Sequence, residues 1–574
     1  MKKRIVYIFL VIFLLSFSIP KFIFSLIPPT KEQMERYKQD GSLKYRIERA
    51  KALRNNKVSI SLLKRYEQKM RSLIMNKGIL KNEDLSENKI VPPAWEGMPT
   101  TGTVKIPVIL ISFQDTPNIN SKFGITDKIF GQGDASSYPL ESLRNFYRRS
   151  SYNKLNITGN VLGWYKTAYP RSEVESKGIN NLIIEVLDYY DSKGHDFSQY
   201  DNDNDGDIDY LVVIWAGAHG EWASFWWAYQ SDFNDSGYKV DGKKLGKYSW
   251  QWELYNYPYG KFDPSTLIHE TGHALGLPDL YDYKEGTGPE GGVGGLDMMD
   301  SVWGDHNCFS KFMLGWIEPS VIKTGESQLS LNPSSLSEDA LIIFPGASKD
   351  SFFGEFFMVQ NRSRIGNDKK IPNDGIIVWH VDSTLDENGS NFKFDNSYSE
   401  HKYLKLMQAD GLDQIEHNQK ADAGDFFVDG KMFTPATDPN SSRYDGSNTG
   451  VFIKNIYRIN NKSFFDAGID IPLEIKLSGE RFEEKSWIVK NFYVALSFSV
   501  EFFREINVIK YSVERKEFQG VYESVKDIFP DELTDNRVDF NDMFIQKDKK
   551  YYYRITAFGS TGSAIAVSNE LIIE

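Results

Sequence analysis

His269 and His273 stand four residues apart with Glu270 between them, in the stretch Thr266 to Asp282, TLIHETGHALGLPDLYD. On a helix that spacing puts both imidazoles on one face about a turn apart, where two ring nitrogens can hold one metal ion. The Glu270 carboxylate then points toward the same ion from the adjoining edge of the helix, within reach of a water there but not competing as a ligand. Gly276 breaks the helix and can adopt the left-handed conformation that turns the chain back under the metal. Asp279, after Pro278, arrives as the third ligand. Three protein ligands with one open position is the arrangement of a catalytic zinc, whereas structural zinc sites close the fourth position, usually with cysteine. The chemistry expected is metal-assisted hydrolysis, with Glu270 as the general base that takes a proton from water and passes it to the leaving group.

A helix must therefore run through Ile268 to Ala274, end at Gly276, and be followed by a second loop under the metal. HETGHALGLPD resembles the HExxHxxGxxD signature of the M6 peptidases, the immune inhibitor A-like branch of the metzincins, in which aspartate replaces the more usual third histidine. The resemblance implies a metzincin-like zinc protease domain acting on protein or peptide substrates. It also implies a Met-containing turn beneath the zinc, and GGLDMMDSVWGDHNCFSKFMLGWIEP, from Gly294 onward, is similar to that region, with Met299 as first choice and Met298 as the alternative. In thermolysin-like enzymes a downstream glutamate is the third ligand, and Glu290 is the alternative to Asp279 on that pattern. SLRNFYRRSSYNKLNITGNVLGWYK, Ser142 to Lys166, resembles the early part of M6 catalytic domains, and in the family the aromatic-rich stretch Trp222 to Tyr259 supplies a strand edge that receives extended substrate.

YDNDNDGDIDYLVVIWAG carries a second constellation: Asp201, Asp203, Asp205, Asp207 and Asp209 around Gly206. The odd-position spacing is that of a calcium loop, whose hard cation takes carboxylate and carbonyl oxygens. Asp207 falls where a backbone carbonyl serves, and the twelfth position is Val212 rather than glutamate, so the loop is a shortened variant or takes a ligand from elsewhere. Without a cation these five carboxylates would repel one another.

The chain has 574 residues, enough for three or four units, and a formal net charge of −12, which argues against nucleic acid as a partner. Its lone cysteine, Cys308, cannot form an internal disulfide, which leaves metal ions as the staples expected of an exported protein. Export is read from Lys2, Lys3 and Arg4 ahead of the apolar run Ile5 to Ile19, a pattern of n-region and h-region, with Ser16 and Ser18 near a cleavage point. A second apolar patch, Phe22 to Ile27, keeps an uncleaved anchor as the alternative, so membrane contact is expected only if this segment is retained. Residues 31–87 are charged with helical spacing, as in SLLKRYEQKMRSLI, and their place between export signal and peptidase points to a propeptide; a permanent helical subdomain is the other reading.

Beyond about Gln328 the runs DALIIFPG, EFFMVQN, DGIIVWHVD and KYLKLMQADG read as strands between polar turns, and FFMVQNRSRIGNDKKIPNDGIIVWHVD with ADAGDFF is similar to the segment after the protease core in M6 proteins. KKYYYRITAFGSTGSAIAVSNELIIE resembles the final hairpin of a fibronectin type III-like sandwich. The fold class expected is multidomain α+β: a signal peptide or anchor at 1–27, a helical propeptide at 28–95, a zinc metalloprotease domain at 96–325, a β-rich domain at 326–470 and a β-sandwich at 471–574. The function expected is a secreted zinc endopeptidase with structural calcium. The competing reading is a surface adhesion or binding protein carrying an inactive peptidase domain.

Overall fold

The computed structural model describes residues 29, 31–76, 97–235, 237–284, 291–301, 304–322, 325–345, 353–397, 400–417, 419–470, 473–485, 490–502, 507–517, 520–560, 562 and 564–573. The expected signal segment 1–27 and Glu290 lie outside the described residues. The expected helical stretch forms α1 (Lys31–Gln39), α2 (Leu43–Ala52) and α3 (Ile60–Asn76). Its apolar spacing is used on two sides: Met34, Tyr37, Leu43 and Ile47 join one core cluster, while Leu62, Tyr66 and Met70 of α3 enter another.

The β-branched run VKIPVILIS cannot leave either face in water, and it becomes β1 (Gly102–Ser112), almost wholly buried. β1 lies parallel to β2 (Leu155–Lys166) and β3 (Asp207–Trp215), β3 runs parallel to β5 (Lys244–Trp252), and the short β4 (Tyr229–Asp232) closes the edge antiparallel to β5. The order is β2-β1-β3-β5-β4. α4 (Lys122–Phe130), α5 (Leu143–Ser150), α6 (Val174–Lys177) and α7 (Ile179–Asp191) accompany this sheet; the Ser142 side chain caps α5 by accepting from the Asn145 N–H. α8 (Ser265–Ala274) carries the two motif histidines, packs against α5, β4 and β5, and is buried at all ten positions. α9 (Cys308–Met313) follows the Met298–Met299 loop and meets α3.

The four expected strand runs form β8 (Leu341–Ile343), β9 (Glu355–Arg362), β10 (Gly375–Asp382) and β11 (Leu404–Met407), preceded by β6 (Ser320–Ile322) and β7 (Gly325–Leu331) and followed by β12 (Val451–Ile459) and β13 (Lys462–Ile469). One sheet has the order β11-β10-β9-β8-β6 and another the order β12-β13-β7. Because strand side chains alternate faces, β9 and β10 serve two cores. Phe356, Met358, Ile377 and Trp379 pack in the cluster that holds Met299 and Trp316, whereas Phe357, Val359, Ile376 and Val378 pack toward Phe433, Ile453 and Phe465. A single core is thus continuous from α3 through the motif helix into this sheet.

The remaining strands are β14 (Leu473–Lys485), β15 (Lys490–Phe502), β16 (Val508–Glu517), β17 (Glu523–Ile528), β18 (Arg537–Asp542), β19 (Tyr551–Gly559), β20 (Ala564–Val567) and β21 (Leu571–Ile573). They form two antiparallel sheets, β14-β15-β18 and β17-β16-β19-β20, around a core of their own. The architecture is multidomain and β-rich with helices, an α+β chain. No helix among the described residues is long and apolar enough to cross a membrane.

Candidate active site

α8 stops where the sequence places a residue without a Cβ: Gly276 has φ of +100°, a conformation that L side chains rarely adopt. The turn it permits returns Asp279 beneath the helix. One ligating atom from each of His269, His273 and Asp279 lies within 4.8 Å of the others. The interatomic distances are 3.0 Å from His269 Nε2 to Asp279 Oδ1 and 3.3 Å from His273 Nε2 to the same oxygen.

The hydrogen bonds around these rings decide which nitrogens face the centre. His269 Nδ1 donates to the Met298 carbonyl oxygen at 2.9 Å, and His273 Nδ1 donates to the Leu277 carbonyl oxygen at 2.9 Å. A carbonyl oxygen can only accept, so each neutral ring spends its proton on Nδ1 and turns a bare Nε2 lone pair inward. Two lone pairs and a carboxylate oxygen then converge in a fully buried space, acceptor against acceptor, which only a cation satisfies. The donor set of two imidazoles and a carboxylate fits zinc, and the carbonyls behind the rings are the outer partners that orient such ligands.

Asp279 is further fixed by Tyr283, whose hydroxyl donates to Oδ2 at 2.5 Å; Tyr281 and Tyr283 share a hydrogen bond at 2.8 Å. Glu270 differs. No side chain among the described residues hydrogen-bonds its carboxylate, which meets only the Gln230 backbone N–H of β4, and burial pushes its carboxyl up to about 8. A carboxyl kept dry beside a cation site can take and return a proton near neutral pH.

Met299 lies under α8: a Cβ at Gly272, between the two histidines, would collide with the Met299 sulfur. Met298 contributes through its carbonyl oxygen instead. The loop is pinned by Asp297, which accepts from the Met299 N–H at 2.7 Å, and by Arg362, which donates to the Leu296 carbonyl oxygen while pairing with Asp368. His306 is buried among Phe146, Tyr147 and Trp316, with its Nδ1 3.6 Å from Asp297 Oδ1. His219 stacks on Tyr255, and His380 and Asp382 pair with Glu355 and His401, away from the motif.

The acidic loop gathers Asp201, Asp203, Asp205 and Asp209, each with one carboxylate oxygen within 4.8 Å of the others; the Asp207 carboxylate is not among them. Burial pushes Asp209 up to about 7, and Lys243 reaches Asp201 at 2.6 Å from one side. That geometry suits a hard cation held by oxygens.

Sequence reasoning missed three contributors. Tyr283 stands four residues past Asp279 and could have been sought as a donor to the third ligand. The carbonyls of Met298 and Leu277 carry no side-chain signal. The third lies far upstream: the Asp279 N–H donates to the Asn55 carbonyl oxygen at 2.6 Å, and the Ser59 N–H donates to the Gly276 carbonyl oxygen at 3.0 Å. The connection between α2 and α3 thereby roofs a cavity of about 360 Å³, lined also by Gln230 and Ser231 of the edge strand β4 and by His273.

No family model matches the chain. It is 27% identical over a 239-residue alignment to the pre-pro-metalloprotease PrtV of Vibrio cholerae serotype O1, strain M66-2, covering 32% of this chain and 26% of the relative, and the PrtV of strain ATCC 39315 gives the same figures. The chain thus spans about a quarter of the length of the curated relatives it matches. This is a distant relationship to a metalloprotease. Among solved structures, OgpA of Akkermansia muciniphila aligns at 9% identity with a TM-score of 0.16, covering 83% of this chain and 93% of that one, a likeness too slight to bear on the fold.

Proposed function

We propose that the chain is a secreted zinc endopeptidase of the M6, immune inhibitor A-like type, hydrolysing peptide bonds in proteins and made as a zymogen. The observation that carries the reading is the buried convergence of His269 Nε2, His273 Nε2 and Asp279 Oδ1, with both ring protons committed to carbonyl oxygens on Nδ1, beside the buried carboxyl of Glu270. His269, His273 and Asp279 hold the metal. Zinc supplies Lewis acidity to a substrate carbonyl and to water at its open position.

The chain's own residues supply the rest. Glu270 takes a proton as water oxygen joins the scissile carbon, then hands it to the departing amine as the C–N bond breaks, so the carboxylate is restored each cycle. Tyr283 keeps Asp279 oriented, and the carbonyls of Met298 and Leu277 keep both imidazoles in the metal-binding tautomer. The free edge of β4 receives extended substrate by main-chain pairing. Met299 forms the turn under the metal. Asp201, Asp203, Asp205 and Asp209, with the Asp207 backbone, hold structural calcium. The name of the Vibrio relatives, a pre-pro-metalloprotease, supports an export segment at 1–27 and a propeptide at 28–95 ahead of a protease unit at 96–325; the proposed order ends with a β-rich unit at 326–470 and a fibronectin type III-like unit at 471–574.

The test is incubation of the purified full chain, after limited proteolysis of its N-terminal unit, with a mixed peptide library in zinc and in a zinc chelator. Zinc-dependent cleavage supports the reading. A protein that carries one zinc per chain and cleaves nothing in either arm leaves the adhesion reading in its place.

A further inference from the structure

We propose that the side-chain amide of Gln230, on the edge strand β4, donates a hydrogen bond to the carbonyl oxygen of the peptide bond under attack and so steadies the negative charge that develops there. The proposal rests on the peptidase reading and gives it the donor it lacks. Gln230 meets the centre in two ways. Its backbone N–H reaches the Glu270 carboxylate, and its side chain lines the cavity of about 360 Å³ that His273 also lines and the α2–α3 connection roofs. β4 pairs with β5 on one side only and packs on α8. Although Gln230 is only 6% exposed, its Nε2 has no partner among the described residues. A buried amide donor without an acceptor is costly, and such an atom in a folded protein calls for a reason.

The other donors around the two histidines are spent. The Tyr283 hydroxyl donates to Asp279 Oδ2 at 2.5 Å, which leaves the Tyr281 hydroxyl to donate to Tyr283 at 2.8 Å. The Tyr147 hydroxyl donates to the Ile268 carbonyl oxygen at 2.6 Å. Both imidazoles give their protons to the carbonyls of Met298 and Leu277. Ser249 and Gln251 of β5 and Thr266 of α8 also carry unpartnered buried atoms, but none of the three lines the cavity. Among the described residues, Gln230 Nε2 is therefore the buried, uncommitted donor on the wall that His273 shares.

The step needs such a donor. As water oxygen bonds to the scissile carbon, the π pair of the C=O moves onto the carbonyl oxygen and Glu270 takes the water proton. Gln230 transfers no proton; its N–H only points at the oxygen that has gained charge. A donor fixed in advance in dry surroundings acts more strongly there than water would. When the C–N bond breaks, the pair returns to the carbonyl and the charge is gone. A peptide paired along β4 runs past Gln230, so the residue that holds substrate by its strand also carries the donor.

The test uses the full chain after limited proteolysis of its N-terminal unit, a peptide that wild type cleaves from the mixed library, and the phosphinic pseudopeptide of the same sequence, a tetrahedral anion. Gln230→Met keeps the length of the side chain and removes the donor. Its kcat should fall about 100- to 1,000-fold with KM within about threefold of wild type, the mark of a contact made in the transition state alone. Calorimetry should show the pseudopeptide binding at least about tenfold more weakly, with zinc stoichiometry unchanged. The melting midpoint should hold or rise, because an unsatisfied amide has left the interior. Gln230→Glu keeps the shape without the N–H and should lose at least as much kcat. Wild-type kcat and pseudopeptide affinity in Gln230→Met, or losses accompanied by a lowered midpoint in both variants, overturn the proposal and leave the peptidase reading standing. A wild type that binds zinc and cleaves nothing overturns both.

Discussion

Asn55 presents its carbonyl oxygen to the backbone N–H of Asp279 at 2.6 Å, so the helical N-terminal unit grips the residue that completes the cluster with His269 and His273. Four residues on, Ser59 repeats the contact at Gly276, the bend that delivers Asp279. Substrate lying along β4 would meet this connection first. The intact chain should therefore cleave peptides at least about tenfold more slowly than the same preparation after limited proteolysis within residues 53–59, since an occluded site is used only in its open fraction. Equal rates before and after nicking would remove the zymogen reading.

Glu270→Gln keeps the size and burial of the side chain and deletes the proton carrier. Peptide hydrolysis should fall by about three to five powers of ten while zinc stoichiometry stays at wild type, because no ligand is touched. Loss of zinc together with activity would instead make Glu270 a ligand.

Tyr283→Phe removes the hydroxyl that donates to Asp279 Oδ2 and leaves the ring in place. Outer partners of metal ligands typically contribute about 10- to 100-fold in affinity. Zinc affinity, read by competition with a chromogenic chelator, should weaken by that amount. Tyr281→Phe, one bond further out, should change it less.

Local patterns were legible and long-range ones were not. The helix of His269 and His273, its stop at Gly276, and the buried apolar runs of β1, β9 and β10 all follow from residue types within a few positions. In the acidic loop Asp201, Asp203, Asp205 and Asp209 come together, and the Asp207 carboxylate does not join them. What escaped were contacts between segments far apart in the chain. Nothing about Asn55 marks it as a neighbour of Asp279, and nothing in DLYDY says which tyrosine turns inward. α3 shows the same limit: its spacing predicts a helix, but not that Tyr66 sits edge-on to Phe309, Phe312 and Phe392 with its hydroxyl on Ser383 at 2.8 Å.

That setting makes Tyr66 an anchor. It is fully buried in the core that also holds Met299, and Tyr66→Ala would leave a cavity the size of its ring there. Stability to urea should drop by about 3 to 5 kcal/mol, as for other large aromatic truncations. A drop below about 1 kcal/mol would mean that α3 is a loosely held cover rather than part of the core.

Asp300 gives a pH dependence of known sign. It is buried, accepts from the N–H groups of Val293 and Gly295, and burial raises its carboxyl to about 7 despite opposing pulls from those donors, Lys402 and Lys420. In the unfolded chain it returns to its ordinary value of 3.8. Below that value both states hold the proton and the contribution is complete; as pH rises toward 7 the unfolded state releases the proton while the folded state keeps it, so this contribution is lost. Asp300→Asn retains an acceptor for both backbone donors and has nothing to titrate. In chelator, the stability of wild type relative to Asp300→Asn should therefore fall by about 2.7 kcal/mol between pH 5 and pH 8, roughly two pKa units of linkage. Parallel urea midpoints at the two pH values would show that the folded protein carries Asp300 ionised throughout.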